Sequence, residues 1–169
     1  NLETIERNFN KMVLRIESEG EHLHLRVGFQ ARRNPMDTAV LLQMTGRPED
    51  AVNIYQEILK KDPKNADAWH FLAIIAQQAG RLETAEIMVL KAIELRNNSA
   101  NFFVTASRIE RDLNKFEEAL QAIQSAIALN TKDADAHADL AELLLKINEQ
   151  QKSEVAMRRS LKLERSTVK

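Results

Sequence analysis

The fold is decided by residues 66–99, which read ADAWHFLAIIAQQAGRLETAEIMVLKAIELRNNS. Apolar side chains recur three or four residues apart before Gly80, and the same spacing resumes after it. This spacing places them on one face of an α-helix, whereas a half-buried strand would alternate. Glycine often ends a helix because it adopts left-handed backbone angles without strain. The segment therefore predicts two short amphipathic helices, 68–79 and 82–95, joined at Gly80. Their apolar residues are Trp69, Leu72, Ala73 and Ala76 on the first and Ala85, Met88, Val89, Ala92 and Ile93 on the second.

The pattern returns every 34 residues, and we call a set of residues at this spacing a column. One column is Gly46, Gly80, Asn114 and Asn148, and asparagine is the residue that most often replaces glycine in the turn that ends a helix. A fixed period of this length predicts stacked helix pairs that share one core. Four more columns keep a similar side-chain size: Ala39, Ala73, Ser107 and Ala141; Ala51, Ala85, Ala119 and Ser153; Tyr55, Val89, Ile123 and Met157; and Leu59, Ile93, Ile127 and Leu161.

Composition agrees with an all-α protein. The 169 residues include only four glycines, three prolines and 5% aromatics, which is low for a protein built from sheets. Lysine and arginine number 24 against 25 acidic residues, so we expect neither a dedicated nucleic-acid binder nor attraction to an anionic membrane. No apolar run is long enough to span a membrane. Cysteine is absent, which excludes disulfides and thiolate catalysis.

These columns carry a resemblance to a known family. The 34-residue period, Trp69, Leu72 and Ala73, then Gly80 and Ala85, resemble the tetratricopeptide repeat (TPR). We place four repeats at 32–65, 66–99, 100–133 and 134–167. The resemblance implies an all-α TPR solenoid, a right-handed superhelix with a concave groove lined mostly by the first helix of each repeat. It also implies a protein or peptide partner.

Residues 1–31 precede the period, and the sequence leaves two interpretations open for them. The spacing of Leu2, Ile5, Phe9, Met12 and Ile16 predicts an amphipathic helix with an apolar seam. This helix is expected to pack on the first repeat as a cap, or to mediate self-association or partner binding. Residues 22–30 alternate apolar and polar side chains, which favours an extended connecting segment over the alternative of a second short helix.

The resemblance also predicts which residues bind a partner. The amino-terminal part of the groove is apolar, and Arg108 and Arg111 add positive charge that suits a carboxylate. A competing interpretation is that residues 1–31 fill the groove and complete the core. The predicted groove residues are Met36, Val40, Met44, His70, Ile74, Gln77, Val104, Arg108 and Arg111.

Three functional hypotheses follow. The first is a protein-interaction module that holds a peptide or helix in the groove. The second is a self-assembling scaffold or adaptor, such as bacterial TPR proteins that coat the magnetosome, because the predicted last helix, 149–163, leaves Val155 and Leu161 without a solvating helix. The third is the recognition domain of a larger enzyme.

We predict no catalytic residue, cofactor or metal in this chain itself. The four glycines form neither G-x-G-x-x-G nor a P-loop, and hydrolase motifs are absent. His22 and His24 form an H-x-H pair, but no third ligand follows at a defined spacing.

Overall fold

The computed structural model describes residues 34–167, and these form eight α-helices and no strand. They divide into two compact units, residues 34–61 and residues 62–167. The predicted helix near residues 2–16 and the extended segment 22–30 lie outside the described residues. The helices are α1 (Pro35–Met44) and α2 (Pro48–Lys61) in the first unit, and α3 (Ala66–Gln78), α4 (Leu82–Leu95), α5 (Ala100–Asp112), α6 (Phe116–Leu129), α7 (Ala134–Lys146) and α8 (Gln150–Thr167) in the second.

The first helices of the three pairs in the second unit begin one period apart. Helices α3, α5 and α7 start at Ala66, Ala100 and Ala134, which are 34 residues apart. The Asn65 side chain accepts a hydrogen bond from the Ala68 amide at 3.0 Å at the start of α3. The Asp133 side chain accepts one from the Ala136 amide at 3.0 Å at the start of α7. These caps satisfy amides that have no partner inside the helix.

The turns inside the pairs have the predicted left-handed backbone. The φ angles are 77° at Gly46, 72° at Gly80, 61° at Asn114 and 63° at Asn148. In the second of these turns the Gly80 amide donates to the Gln77 carbonyl and the Arg81 amide donates to the Ala76 carbonyl, both at 2.9 Å. The other three turns repeat this pair of bonds, which defines the Schellman motif. One local device therefore reverses the chain four times.

Small residues let the two helices of a pair approach closely. Ala85 and Ala119 are fully buried. Where a serine replaces alanine in these columns, its hydroxyl bonds the facing helix: Ser107 Oγ donates to the Ala119 carbonyl at 2.9 Å, and Ser153 Oγ donates to the Ala141 carbonyl at 2.7 Å. A buried hydroxyl needs such a partner, and the facing carbonyl supplies it without enlarging the gap.

The core of the second unit runs through consecutive pairs. Val89 of α4 belongs to a cluster with Ala106 and Ile109 of α5. Ile123 of α6 belongs to an equivalent cluster with Ala136 and Leu143 of α7. Each pair thus buries its apolar face against the next pair, as expected of repeat proteins.

The first unit has its own small core. Ala39 of α1 and Ala51 and Tyr55 of α2 are all fully buried. The Tyr55 hydroxyl donates to Gln43 Oε1 at 3.3 Å. Asn34 caps α1, followed by Pro35 at the first helical position.

Two predicted helix bounds are wrong. Helix α3 begins at Ala66, whereas the pattern predicted Ala68, because Asn65 supplies the cap. The last helix continues to Thr167, whereas the prediction ended at 163. No glycine or proline follows Leu163, so nothing in the local sequence ends this helix earlier.

Candidate functional site

The helices α3, α5 and α7 present equivalent positions because they start in the same phase. One column contains Ile74, Arg108 and Glu142, and the neighbouring column contains Gln77, Arg111 and Leu145. Positions three residues apart share a helix side. We call the surface formed by these six residues, together with Asp112 and Asp139, the first-helix face.

Polar side chains bridge the first-helix face from one repeat to the next. Gln77 Nε2 of α3 donates to Asp112 Oδ2 of α5 at 2.9 Å. Arg111 Nη1 of α5 lies 3.0 Å from Glu142 Oε2 of α7. Arg111 also lies beside Asp112, with Nη2 3.2 Å from Oδ1. These contacts form one chain of hydrogen-bonded groups across three helices.

A second bridge joins Arg108 to Asp139. Arg108 Nε donates to Asp139 Oδ2 at 2.8 Å, and Arg108 Nη2 lies 2.7 Å from the same oxygen. The Asp139 side chain is only 15% exposed, and burial raises the pKa of this carboxyl above its usual value while Arg108 opposes the rise. The carboxylate is therefore held by the guanidinium rather than by water.

The positive charge that the sequence predicts in the middle of the groove is therefore neutralised by carboxylates of the same chain. Arg108 and Arg111 meet carboxylates of this same chain on α5 and α7. The pairing of these arginines with acidic residues of the next repeat was not predicted from the sequence. Asp139 follows Arg108 by 31 residues, which is one repeat less about one helical turn, and this spacing could have indicated the bridge.

Two predicted groove residues lie inside the helix packing. His70 is 8% exposed and Val104 is 9% exposed. His70 Nε2 lies 2.8 Å from Thr105 Oγ1, and its ring centroid is 4.6 Å from that of Phe102. Burial lowers the pKa of His70 to about 4, so the imidazole is neutral at physiological pH. In the described structure His70 thus joins α3 to α5, and sequence reasoning missed its partner Thr105.

Three of the apolar residues of the predicted groove lie in the first unit. Met36 and Val40 are half-buried and Met44 is 61% exposed, and all three follow one side of α1 at a spacing of four. A groove that extends from these residues to Arg111 stays a prediction.

Of the predicted self-association residues, the structure describes only Val155 and Leu161. Val155 is 67% exposed and Leu161 is 46% exposed, both on α8. Met157 is 40% exposed, although its column mates Val89 and Ile123 are fully buried. The other candidates, Leu2, Ile5, Phe9, Met12 and Ile16, lie outside the described residues.

Within residues 34–167 no three histidine or acidic side chains come together as a metal site. None of the helices in this range is long and apolar enough to cross a bilayer.

Comparison with known families agrees with the columns. A family model described as tetratricopeptide repeat matches residues 42–103, and a second model with the same description matches residues 104–163. The chain is a tetratricopeptide repeat protein. The predicted family and the all-α repeat fold are therefore confirmed.

Solved structures of MamA are similar to this TPR chain. A crystal structure of MamA is 26% identical with a TM-score of 0.69, and the match covers 76% of this chain and 75% of that chain. The structure of MamA 41-end from Desulfovibrio magneticus RS-1 has a TM-score of 0.74 and covers 96% of both chains, and at 16% identity it shows the fold alone. No curated protein matches the sequence. The repeats support a protein-interaction or scaffold role, a class that is typically not enzymatic.

Proposed function

We propose that this TPR protein binds a peptide or helix of a partner protein along its first-helix face. The observation that supports the proposal most strongly is the bridge between Arg108 and Asp139 beside the bridge between Arg111 and Glu142. These bridges hold charged groups at fixed positions in a row across α5 and α7. Fixed charges lower the entropy lost when a partner is ordered, and they favour partners of complementary charge pattern.

Exposure of the bridged groups supports the same proposal. The Arg108 side chain is 43% exposed and the Glu142 side chain is 55% exposed, so both keep hydrogen-bonding capacity toward a partner. Ile74 adds a half-buried apolar side chain in the same column. An apolar anchor flanked by oriented polar groups is typical of grooves that bind peptides or helices.

A charge exchange separates a binding role from a purely structural one. Arg108→Asp places two acidic side chains together, whereas the double variant Arg108→Asp with Asp139→Arg restores an ion pair of reversed direction. We expect the double variant to keep the helicity and thermal stability of the wild type. We also expect it to lose the proteins captured by the immobilised wild-type chain, because a partner then meets inverted charges.

The matched control is Arg158→Asp on α8. Arg158 pairs with Glu154 on its own helix, and its side chain is 75% exposed, away from the first-helix face. This control should capture the same proteins as the wild type. If the double exchange captures them equally well, the first-helix face is not the binding site.

A scaffold that assembles with itself is the second candidate, and it rests on the outer side of the last repeat. Met157 and Leu161 are 40% and 46% exposed. Residues Ile123 and Ile127, one repeat earlier in the columns of Met157 and Leu161, pack in a cluster with the next repeat. An equivalent helix from a second copy would bury the same apolar surface.

Light scattering over a range of concentrations tests this candidate. We expect Leu161→Asp to lower the average mass at high concentration, whereas Val155→Asp should leave it unchanged. Val155 belongs to the same sequence prediction, but its column mate Ile87 is 70% exposed inside the stack. This column therefore faces solvent in any repeat, and Val155 serves as the control. A wild-type chain that stays monomeric at every concentration would exclude self-assembly. The roles as an organelle coat and as a recognition domain of a larger enzyme stay predictions.

A further inference from the structure

Glu110 occupies a column that is otherwise apolar in the second unit. Its column mates are Ala76 and Leu144, and the three residues are 8%, 7% and 8% exposed in chain order. Ala76 and Leu144 each belong to a hydrophobic cluster. An ionisable carboxyl therefore takes a core position where neighbouring repeats place a methyl or an isobutyl group.

The charged groups around Glu110 come from three elements: Glu86 on α4, Lys115 in the turn between α5 and α6, and Glu118 on α6. Lys115 Nζ already bonds both oxygens of Glu86, at 2.6 and 2.7 Å. Glu110 Oε2 is buried and has no hydrogen-bond partner in the structure. We call these four residues the Glu110 junction.

An ionised carboxylate in this place is unfavourable for two reasons. Burial removes its hydration and leaves Oε2 without a partner, and the nearby carboxylates of Glu86 and Glu118 repel it. Burial, followed by these two charges, raises the pKa of Glu110 to about 7, and Lys115 opposes the rise. The side chain must therefore hold a proton, or the junction must open enough to admit water.

We propose that the Glu110 junction is a proton-sensitive coupling between the second and third repeats, closed when Glu110 is protonated and locally open when it is ionised. The position supports this because α4 belongs to repeat 66–99, whereas α5 and α6 belong to repeat 100–133. In a stack of repeats, stability depends on each interface between neighbours, so a change at one junction changes how the two repeats are coupled.

The sign of the pH effect follows from proton binding. Below pH 4.5, the ordinary pKa of a glutamate, the folded and unfolded chains both hold the proton and the stabilisation is complete. Between that pH and about 7 only the folded chain holds it, so stability falls as the pH rises. Across this window the folding equilibrium should decrease by on the order of a hundredfold relative to a chain without this group.

The contribution of His70 to the pH dependence of stability has the opposite sign to that of Glu110. The contribution of Glu110 must therefore be measured as a difference between the wild type and a variant. The pKa of His70 is lowered by burial to about 4, so its contribution increases stability as the pH rises toward 6.5. The total stability curve mixes both groups. The difference between the wild type and Glu110→Gln isolates the carboxyl, because Gln keeps the shape of the side chain and does not titrate.

The experiment compares wild type, Glu110→Gln and the exposed control Glu117→Gln by urea unfolding and amide hydrogen exchange at about pH 5 and about pH 8. We expect amides of α4 to α6 in the wild type to lose at least about tenfold protection at the higher pH, after correction for intrinsic exchange. Glu110→Gln should show less than about a twofold change, and Glu117→Gln should follow the wild type.

A carbon-13 NMR titration of the Glu110 carboxyl in the wild type tests the proposal without any substitution. A midpoint near pH 7 supports it, and a midpoint at or below the ordinary value of 4.5 overturns it. Equal pH dependence of exchange in the wild type and in Glu110→Gln also overturns it. If Glu110→Gln does not fold, the NMR midpoint and the exchange of the wild type still decide.

Discussion

The third and fourth repeats place similar side chains in the same columns, yet their environments differ. Ile123 is fully buried in the third repeat, because Leu143 and Ala136 of the next repeat pack in its cluster. Met157 takes the equivalent place in the fourth repeat and is 40% exposed. The contrast teaches that in a stack the burial of an apolar column depends on the next helix pair as much as on the side chain itself.

Charged side chains repeat this contrast. Arg108 of the third repeat bridges to Asp139 of the fourth, whose side chain is 15% exposed. Arg158 of the fourth repeat pairs with Glu154 on its own helix, and both side chains are more than half exposed. The acidic partner of this ion pair between repeats is thus shielded from water, whereas both partners of the pair on the outer helix are exposed.

The largest expected difference comes from truncating the apolar column. Ile123→Ala should lower the free energy of unfolding by about 2–5 kcal/mol, because it leaves a cavity in a fully buried cluster. Met157→Ala should cost less than about 1 kcal/mol, because part of the side chain is already in water. Urea unfolding of both variants measures the difference. Equal losses would contradict the contrast between the two repeats.

Removing one partner of each ion pair should also destabilise the third repeat more than the fourth, but by a smaller difference in the free energy of unfolding. Arg108→Ala leaves the half-buried carboxylate of Asp139 without its cation and should cost about 1–3 kcal/mol at neutral pH. Arg158→Ala, on an exposed helix surface, should change stability by no more than about 0.5 kcal/mol. The same unfolding assay tests both variants, and the pKa of Asp139 should rise further in Arg108→Ala. A loss at Arg158 as large as that at Arg108 would refute this expectation.

The smallest difference is expected at the left-handed turns, and here the two repeats should behave alike. Asn114→Ala and Asn148→Ala each place a residue with a poor left-handed conformation at a φ near 60°. Each should cost about 1 kcal/mol, because the strain arises within the turn and not from a neighbouring repeat. Replacement by glycine at either site is the control and should be neutral or stabilising. Thermal unfolding of the four variants would reveal any inequality between the repeats.

Much of the fold could be predicted from the sequence because its decisive features are local. The turns at Gly46, Gly80, Asn114 and Asn148 depend on backbone bonds within five residues, and the caps at Asn34 and Asn65 act within three. A turn signal that recurs four times in one column can be recognised from the sequence alone. The ends of α3 and α8 were mispredicted where a cap was overlooked or no stop signal exists.

The candidate site was predicted less completely, because its contacts join residues far apart in sequence. The sequence alone determined the helix pairs, the turns and the family, since these follow from short-range geometry repeated at a fixed period. Only the tertiary structure decided that Arg108 meets Asp139, that His70 is buried against Thr105, and that Glu110 lies in the core with Oε2 unpartnered. The physical reason is that pairing and desolvation depend on which helix packs alongside and on the side-chain rotamer, and a column fixes only the position of the Cα atom.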